Sequence, residues 1–296
     1  QLNKRTIRDH VNICKSFVTK FGHQLAHTIT AEQVERHVRA KYTHGTSQHT
    51  LASNFNRITR FGISQKVYPK HLDPPLVALE LFEREPPDPE IASPAQIRDL
   101  LQRADHEIIL LFIVLESFAG TRTCETKKLH WEDFRFDAEQ PKLWLRRKVA
   151  KGRRGNRRPR TIDLPKNLVA WIQPFARETG PVFATKHPYR RVARFMRRCG
   201  FEWSANMLRH SYVSYALEYL GDAAQVARQA GHSTQVQETH YKQLVSAEAA
   251  KEWFNIFPNW TTHPLAQEIK LVPESEFQAK KEKTLEDYRT SRTKKT

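Results

Sequence analysis

The chain is organised around residues 203–245, WSANMLRHSYVSYALEYLGDAAQVARQAGHSTQVQETHYKQLV. Tyr212, Val213, Ala216, Leu217 and Leu220 recur at three-to-four-residue spacing, which predicts an amphipathic helix ended by Gly221. A second, shorter helix is predicted from Ala223 to Ala230 and stops at Gly231 in the same way. Polar clusters punctuate this pair: Arg209 and His210 open the first helix, Gly231 and His232 sit in a break, and Tyr241 follows. Reactive side chains at the ends of packed helices point to a site rather than a core. Arg209 offers a planar fork of donors suited to a phosphate. The Tyr241 hydroxyl can attack phosphorus and hold it covalently.

A formal net charge of +17 over 296 residues favours a polyanionic partner, with DNA and RNA ahead of an anionic membrane. No apolar run is long enough to span a bilayer. The chain opens at Gln1 rather than Met, so a native leader of unknown length is expected upstream. Cys14, Cys124 and Cys199 lack paired metal spacing and argue for a reducing cytoplasm, against a disulfide scaffold or a zinc site. The scattered histidines read mostly as solvated surface.

Residues 1–83 read as helical. Ile7, Val11, Cys14, Phe17, Val18 and Phe21 form one apolar stripe. Thr30 and Gln33 stand in capping-box spacing before Val34 and Val38. A third helix runs from about Ser47 through Leu51, Phe55, Ile58 and Phe61 to Gly62. Residues 84–94, REPPDPEIASP, are too proline-rich to continue a helix and read as a linker, after which Ser93-Pro94 caps a new one. The run IILLFIVLESF, 108–118, predicts a buried helix, broken at Gly120-Thr121 just before Arg122. Residues 143–149 and 160–164 read as the strands of a hairpin. Between its ends, from Arg146 to Arg160, lie nine Lys or Arg and no acid, a density that calls for a nearby polyanion. The candidate DNA contacts there are Lys148, Arg153, Arg154, Arg157 and Arg158. Pro165 and Asn167 open a helix to Phe175. Further on, Arg190, Arg191, Arg194, Arg197 and Arg198 line one side of a helix whose other side carries Val192, Phe195, Met196 and Cys199. Such a stripe is either a solvated face or a DNA-facing one, and the clustering favours DNA. A last helix carries Ala250, Trp253, Phe254 and Phe257. Residues 261–296 read as a charged tail with a weak stripe at Phe277, Leu285 and Tyr288, ordered only against a partner.

LRHSY, then GHS, then HY together resemble the carboxy-terminal signature of the tyrosine recombinases, the phage-integrase family. The resemblance implies a mainly α fold with a small antiparallel β-sheet. A helical core-binding domain (1–83) would clasp DNA, followed by a linker (84–94), an α+β catalytic domain (95–260) and the tail (261–296), which would dock on a neighbouring protomer. It implies Arg122 and Arg209 as phosphate clamps, Glu125 as support, and Tyr241 as nucleophile. His232 would assist at the phosphate. Lys151 would be the general acid, with Lys148 in reserve because the loop's register is open. Two positions depart from the family pattern. Thr126 replaces the usual Leu. Asn206 stands where His or Lys is usual, and can either donate a neutral hydrogen bond to phosphate or merely cap the following helix. His210 fits the pattern but reads as a packed structural residue. The implied partner is double-stranded DNA, bound by a homotetramer in the cytoplasm at the nucleoid, with no metal, cofactor, membrane or small-molecule substrate. Rival readings are a type IB topoisomerase, a degenerate homologue that binds DNA without cutting, and an RNA-binding protein.

Overall fold

The computed structural model describes residues 4–43, 45–67, 75–82, 89–150, 158–204, 206–231, 245–267 and 269. The chain divides into two compact units, Gln1–Pro87 and Asp88–Thr296.

In the first unit, α1 (Lys4–Phe21), α2 (Ala31–Lys41) and α3 (Gly45–Ser64) surround a small core. Thr30 and Gln33 close a reciprocal capping box at the start of α2, at 3.3 and 3.0 Å, satisfying two otherwise orphaned N–H groups. Phe17, Phe21, Val34, Val38, Leu51, Phe55, Val77 and Phe82 are buried together. The Asn56 amide exchanges two hydrogen bonds with the backbone of Val77 (2.8 and 3.0 Å), pinning that segment to α3. The expected stripe of α1 divides: Phe17 and Phe21 face the core with Ile13, whereas Ile7, Val11, Cys14 and Val18 are exposed. Ile58 and Phe61 of α3 are exposed as well.

The second unit is built around α5 (Glu107–Phe118), in which every residue from Ile109 to Phe118 is buried. It packs against α7 (Lys166–Ile172), α8 (Pro188–Arg198) and α9 (Met207–Leu220). A helix this apolar all round can only be a central one. Truncating a side chain such as Leu111 to Ala should cost about 2–5 kcal/mol. Ahead of it, α4 (Pro94–Arg103) begins with a capping box between Ser93 and Gln96. After it come the single turn α6 (Thr123–Thr126) and the strands β1 (Phe134–Arg135), β2 (Lys142–Leu145) and β3 (Arg160–Asp163). The sheet is antiparallel in the order β1-β2-β3, with Leu145 opposite Arg160. The hairpin strands are shorter than expected, because Arg146 turns to pair with the buried carboxylate of Asp133. Val149 and Ala150 then bond back to the Arg146 carbonyl at 2.9 and 3.0 Å. Pro174 converts the end of the expected helix to Phe175 into a 3₁₀ turn, Gln173–Phe175.

α9 and α10 (Ala223–Ala230) end at Gly221 and Gly231, both in the left-handed region at φ 64° and 71°. That conformation favours glycine, which has no Cβ to clash. α11 (Ala247–Phe254) packs back on α9 and α4, and its Trp253 stacks on Tyr215 at 4.3 Å. Phe257 is exposed and Ile256 is buried in its place. The chain stays on this core past 260: His263 lies against Trp171 and Trp260 and bonds the Leu101 carbonyl (2.9 Å), and Leu265 and Ile269 are buried. Residues 261–267 and 269, expected to belong to the tail, therefore lie on this core, and the Phe277, Leu285, Tyr288 stripe lies outside the described residues.

Candidate active site

Three segments meet at the foot of α10. The first is the turn after α5, where Gly120 has φ +58° and a Cβ would fall 2.2 Å from the Tyr212 ring. Glycine is required there twice over, for conformation and for space. The turn presents the Gly120 carbonyl to Nη1 of Arg209, whose Nη2 donates to the Ala230 carbonyl at 2.6 Å. Arg209 itself is buried at 6% exposure, and α9 delivers it one turn after Asn206.

Arg122 is the N-cap of α6. Its Nη1 donates to Glu125 Oε1 (3.1 Å) and its Nη2 to the carbonyl of Gly231, the residue after Ala230. Arg122 and Arg209, far apart in sequence, thus reach consecutive carbonyls at the end of one helix. Unsatisfied carbonyls at a helix C-terminus are natural partners for guanidinium groups. Glu125 is fully buried. Its Oε2 also accepts the backbone N–H of Arg122 at 3.1 Å, and Arg160 holds it from the other side at 3.1 and 2.7 Å. In the sequence Arg160 is only one more charge of the basic run. Nothing in that run distinguishes it, since its partners lie in other segments.

Beneath the arginines lies a second buried carboxyl, Glu116 of α5. Burial pushes its pKa up to about 8, against the opposing pull of the Thr123 and Thr126 hydroxyls and the charge of Arg209. Thr126 bonds Glu116 at 3.3 Å, Thr121 at 2.7 Å and the Arg122 carbonyl at 3.0 Å. A polar residue at 126 is thereby explained, since a leucine would leave Glu116 without that hydroxyl.

Asn206 does not cap α9 with its side chain. It sits in the left-handed conformation (φ 66°, ψ 7°), exposed, and only its carbonyl takes part, accepting the His210 N–H at 2.8 Å. Asn is among the few non-glycine residues that tolerate this backbone. Lys148 lies on an exposed turn and Arg158 is exposed at the return to β3. Lys151, Arg153, Arg154, Arg157, His232 and Tyr241 lie outside the described residues.

On α8, Arg190, Arg191, Arg194, Arg197 and Arg198 are all exposed while Val192, Phe195 and Met196 are buried. Arg198 pairs with Asp105 at 2.7 Å. Among the described residues no carboxylate pairs with the other four. The start of α8 shares a small cleft with α6, lined by Thr123, Lys127, Lys186, His187 and Arg190.

No protein-family model and no curated protein sequence matches the chain. Solved structures do. An integrase of transposon Tn1549 in complex with circular intermediate DNA superposes with a TM-score of 0.65 at 12% identity, over 85% of this chain and 94% of that one. A lambda integrase dimer bound to a core site gives 0.63 at 11%, over 82% and 90%. The XerH site-specific recombinase on its difH substrate, after cleavage, gives 0.59 at 15%, over 80% and 77%. The chain has the fold of the tyrosine recombinases, mainly α with a small antiparallel sheet.

Proposed function

We propose that the chain is a site-specific DNA recombinase of the integrase type, which cleaves and rejoins DNA through a 3′-phosphotyrosine intermediate. The observation that carries this reading is the convergence of Arg122 and Arg209 on the consecutive carbonyls of Gly231 and Ala230. His232 follows directly in sequence, and Tyr241 nine residues after it.

The transition state of phosphoryl transfer gathers negative charge on the phosphate oxygens, so catalysis needs cations aimed before the substrate arrives. Arg122 and Arg209 are aimed by carbonyls and by Glu125, and they clamp the two non-bridging oxygens. The Tyr241 oxygen forms its bond to phosphorus as the bond to the 5′ oxygen breaks. Lys151, or Lys148 in its place, protonates the departing oxygen and leaves a free 5′-hydroxyl. His232 hydrogen-bonds the phosphate or takes the proton of Tyr241, and Asn206 donates one neutral hydrogen bond. A 5′-hydroxyl from another strand then reverses the step and joins DNA without ATP. Two buried tyrosines of α9 are poorly suited to the nucleophile's role. Tyr212 donates to Gln229 and Tyr215 to the Ala92 carbonyl. Burial raises both pKa values, that of Tyr215 to about 12.

The exposed arginines of α8 and the loop residues Lys148, Arg153, Arg154, Arg157 and Arg158 supply the phosphate contacts along the duplex. Four protomers on two duplexes complete strand exchange, in the cytoplasm at the nucleoid; no helix among the described residues is long and apolar enough to cross a membrane. The test is to incubate the protein with a nicked suicide duplex of its own attachment site. Wild type should form a covalent protein–DNA adduct, and Tyr241→Phe should form none while still binding. An adduct that survives in Tyr241→Phe and maps to another tyrosine overturns the assignment.

A further inference from the structure

We infer that Arg160 is a positioning residue of this site: its guanidinium holds Glu125 in the orientation from which Glu125 aims Arg122. The inference rests on the recombinase reading for its catalytic consequence, but its geometry stands on β3, α6 and α10 alone.

Arg160 is the first residue of β3, the point at which the basic loop rejoins the sheet. Its side chain is 10% exposed. Nη1 and Nη2 bind the two oxygens of Glu125 in a fork (3.1 and 2.7 Å), and Nε donates to the Gln229 carbonyl at 2.7 Å. Gly231 makes room for this group. A Cβ at that position would stand 3.0 Å from Cζ and Nε of Arg160. One planar cation therefore ties the strand to the turn that carries Arg122 and to the last residues of α10, whose carbonyls receive both clamp arginines. Lysine cannot replace it, because a point charge on a flexible stem does not satisfy three acceptors lying in one plane. The Glu125 carboxylate, shared between two guanidiniums, would lose one side of its cradle without Arg160 and could rotate away from Arg122.

The loop from 146 to 159 offers an internal control. Both of its ends are held by ion pairs, Arg146 on Asp133 and Arg160 on Glu125. Only the second carboxylate also holds an arginine of the site. If the loop's anchorage were all that mattered, releasing either end would have the same effect. If Arg160 acts through Glu125, only the second release should reach the chemistry.

The experiment compares full-length wild type with Arg160→Gln, Arg160→Lys, Arg146→Gln, Glu125→Gln and the Arg160→Gln/Glu125→Gln double variant. Single-turnover cleavage of the nicked suicide duplex is read at saturating DNA, together with binding and melting temperature. Misaiming one catalytic group by about 1 Å costs about 10²-fold in rate. Arg160→Gln and Arg160→Lys should each show a loss of that order with binding retained. The double variant should be no slower than the slower single one, and Arg146→Gln should cleave like wild type. Full cleavage by folded Arg160→Gln, additive losses in the double variant, or an equal loss in Arg146→Gln each sinks the inference. A second readout needs no activity: the ¹⁵N-edited spectrum of the Arg122 guanidinium. Resolved, slowly rotating Nη–H signals are expected in wild type and collapsed ones in Arg160→Lys, which keeps the charge and serves if Arg160→Gln fails to fold. Unchanged signals overturn the inference. Wild type that forms no adduct while its Arg122 signals respond to Arg160 overturns the recombinase reading and leaves the positioning role standing.

Discussion

Two sets of arginines in the second unit are opposites in every physical respect. Arg122, Arg160 and Arg209 are buried or nearly so, and each donates to atoms fixed by helix ends or by Glu125. Those of α8 are exposed along one face, and Arg198 alone has a carboxylate partner among the described residues. A buried guanidinium is costly to desolvate and is tolerated only where the hydrogen bonding is thorough. In exchange it has little freedom left to lose when a phosphate arrives. An exposed one costs the fold nothing, keeps its rotamers, and can release counterions on meeting DNA. The first arrangement suits acceleration and the second suits adhesion, so substitutions in the two sets should separate rate from affinity.

The largest separation should come from Arg209→Ala. Removing a preorganised cation from a water-poor site costs about 10³-fold in cleavage rate or more. Single-turnover cleavage should fall by that amount while affinity for the duplex changes little. The melting temperature should fall too, because the Gly120 and Ala230 carbonyls lose their donor. If affinity fell as steeply as rate, the division between the sets would collapse. Next in size is Asn206. If its amide donates to the scissile phosphate, both Asn206→Ala and Asn206→Gly should lose about 10²-fold in rate. Only the alanine variant should also lose about 1 kcal/mol of stability, because it must hold the left-handed backbone that glycine adopts freely. A rate loss confined to Asn206→Ala would show that the residue serves the backbone alone.

Much of this architecture was legible in the sequence, for reasons visible in particular residues. Gly221, Gly231, the Thr30–Gln33 box and the Ser93-Pro94 cap mark helix ends by local chemistry, which needs no knowledge of the tertiary fold. The α8 stripe is likewise a periodicity within one element. What stayed hidden depends on contacts between elements. Arg160 looks like every other charge in its run until β3 brings it to Glu125. The outer half of the α1 stripe, Ile7, Val11, Cys14 and Val18, has the spacing of a buried face, but periodicity does not say whether another element covers it. Trp260, His263, Leu265 and Ile269 are too sparse to give a pattern, yet α4 and α7 offer them a surface. Asn206 departs from the motif in side-chain chemistry, while its left-handed φ is a property no motif encodes.

The buried set should also carry a pH dependence that the exposed set lacks. Glu116 holds its proton in the folded state up to about 8, against 4.5 for an ordinary glutamate. The folded state therefore binds the extra proton between those values, and stability falls as pH rises through that window and levels off above it. Between pH 6 and 8 the loss should be at most about 3 kcal/mol, at 1.36 kcal/mol per unit. Denaturant titrations across this range should show the decline in wild type and a flatter curve in Glu116→Gln. His263 acts at the acid end, with the opposite sign. Its pKa is lowered by burial, so stability is present above about 6.5 and is lost as pH falls below it. A wild-type curve that is flat from pH 6 to 8 would mean that Glu116 is ionised beneath Arg209, and that the buried set holds more negative charge than its geometry suggests.

The smallest effect, and the most selective, should come from α8. Arg191→Gln combined with Arg194→Gln removes two exposed charges that support nothing in the fold, so stability should stay within about 0.5 kcal/mol per site. If both arginines neutralise phosphates, the slope of log affinity against log salt should become shallower by about 2. At saturating DNA the cleavage rate should be that of wild type, since neither side chain reaches Glu125 or the two carbonyls that hold the clamp. An unchanged slope would mean that these arginines are solvated and that the duplex lies on another face. A changed slope accompanied by a slower saturated rate would mean that α8 also seats the scissile phosphate. Its shared cleft with α6, where Arg190 and Lys127 stand together, would then be the place where adhesion and acceleration meet.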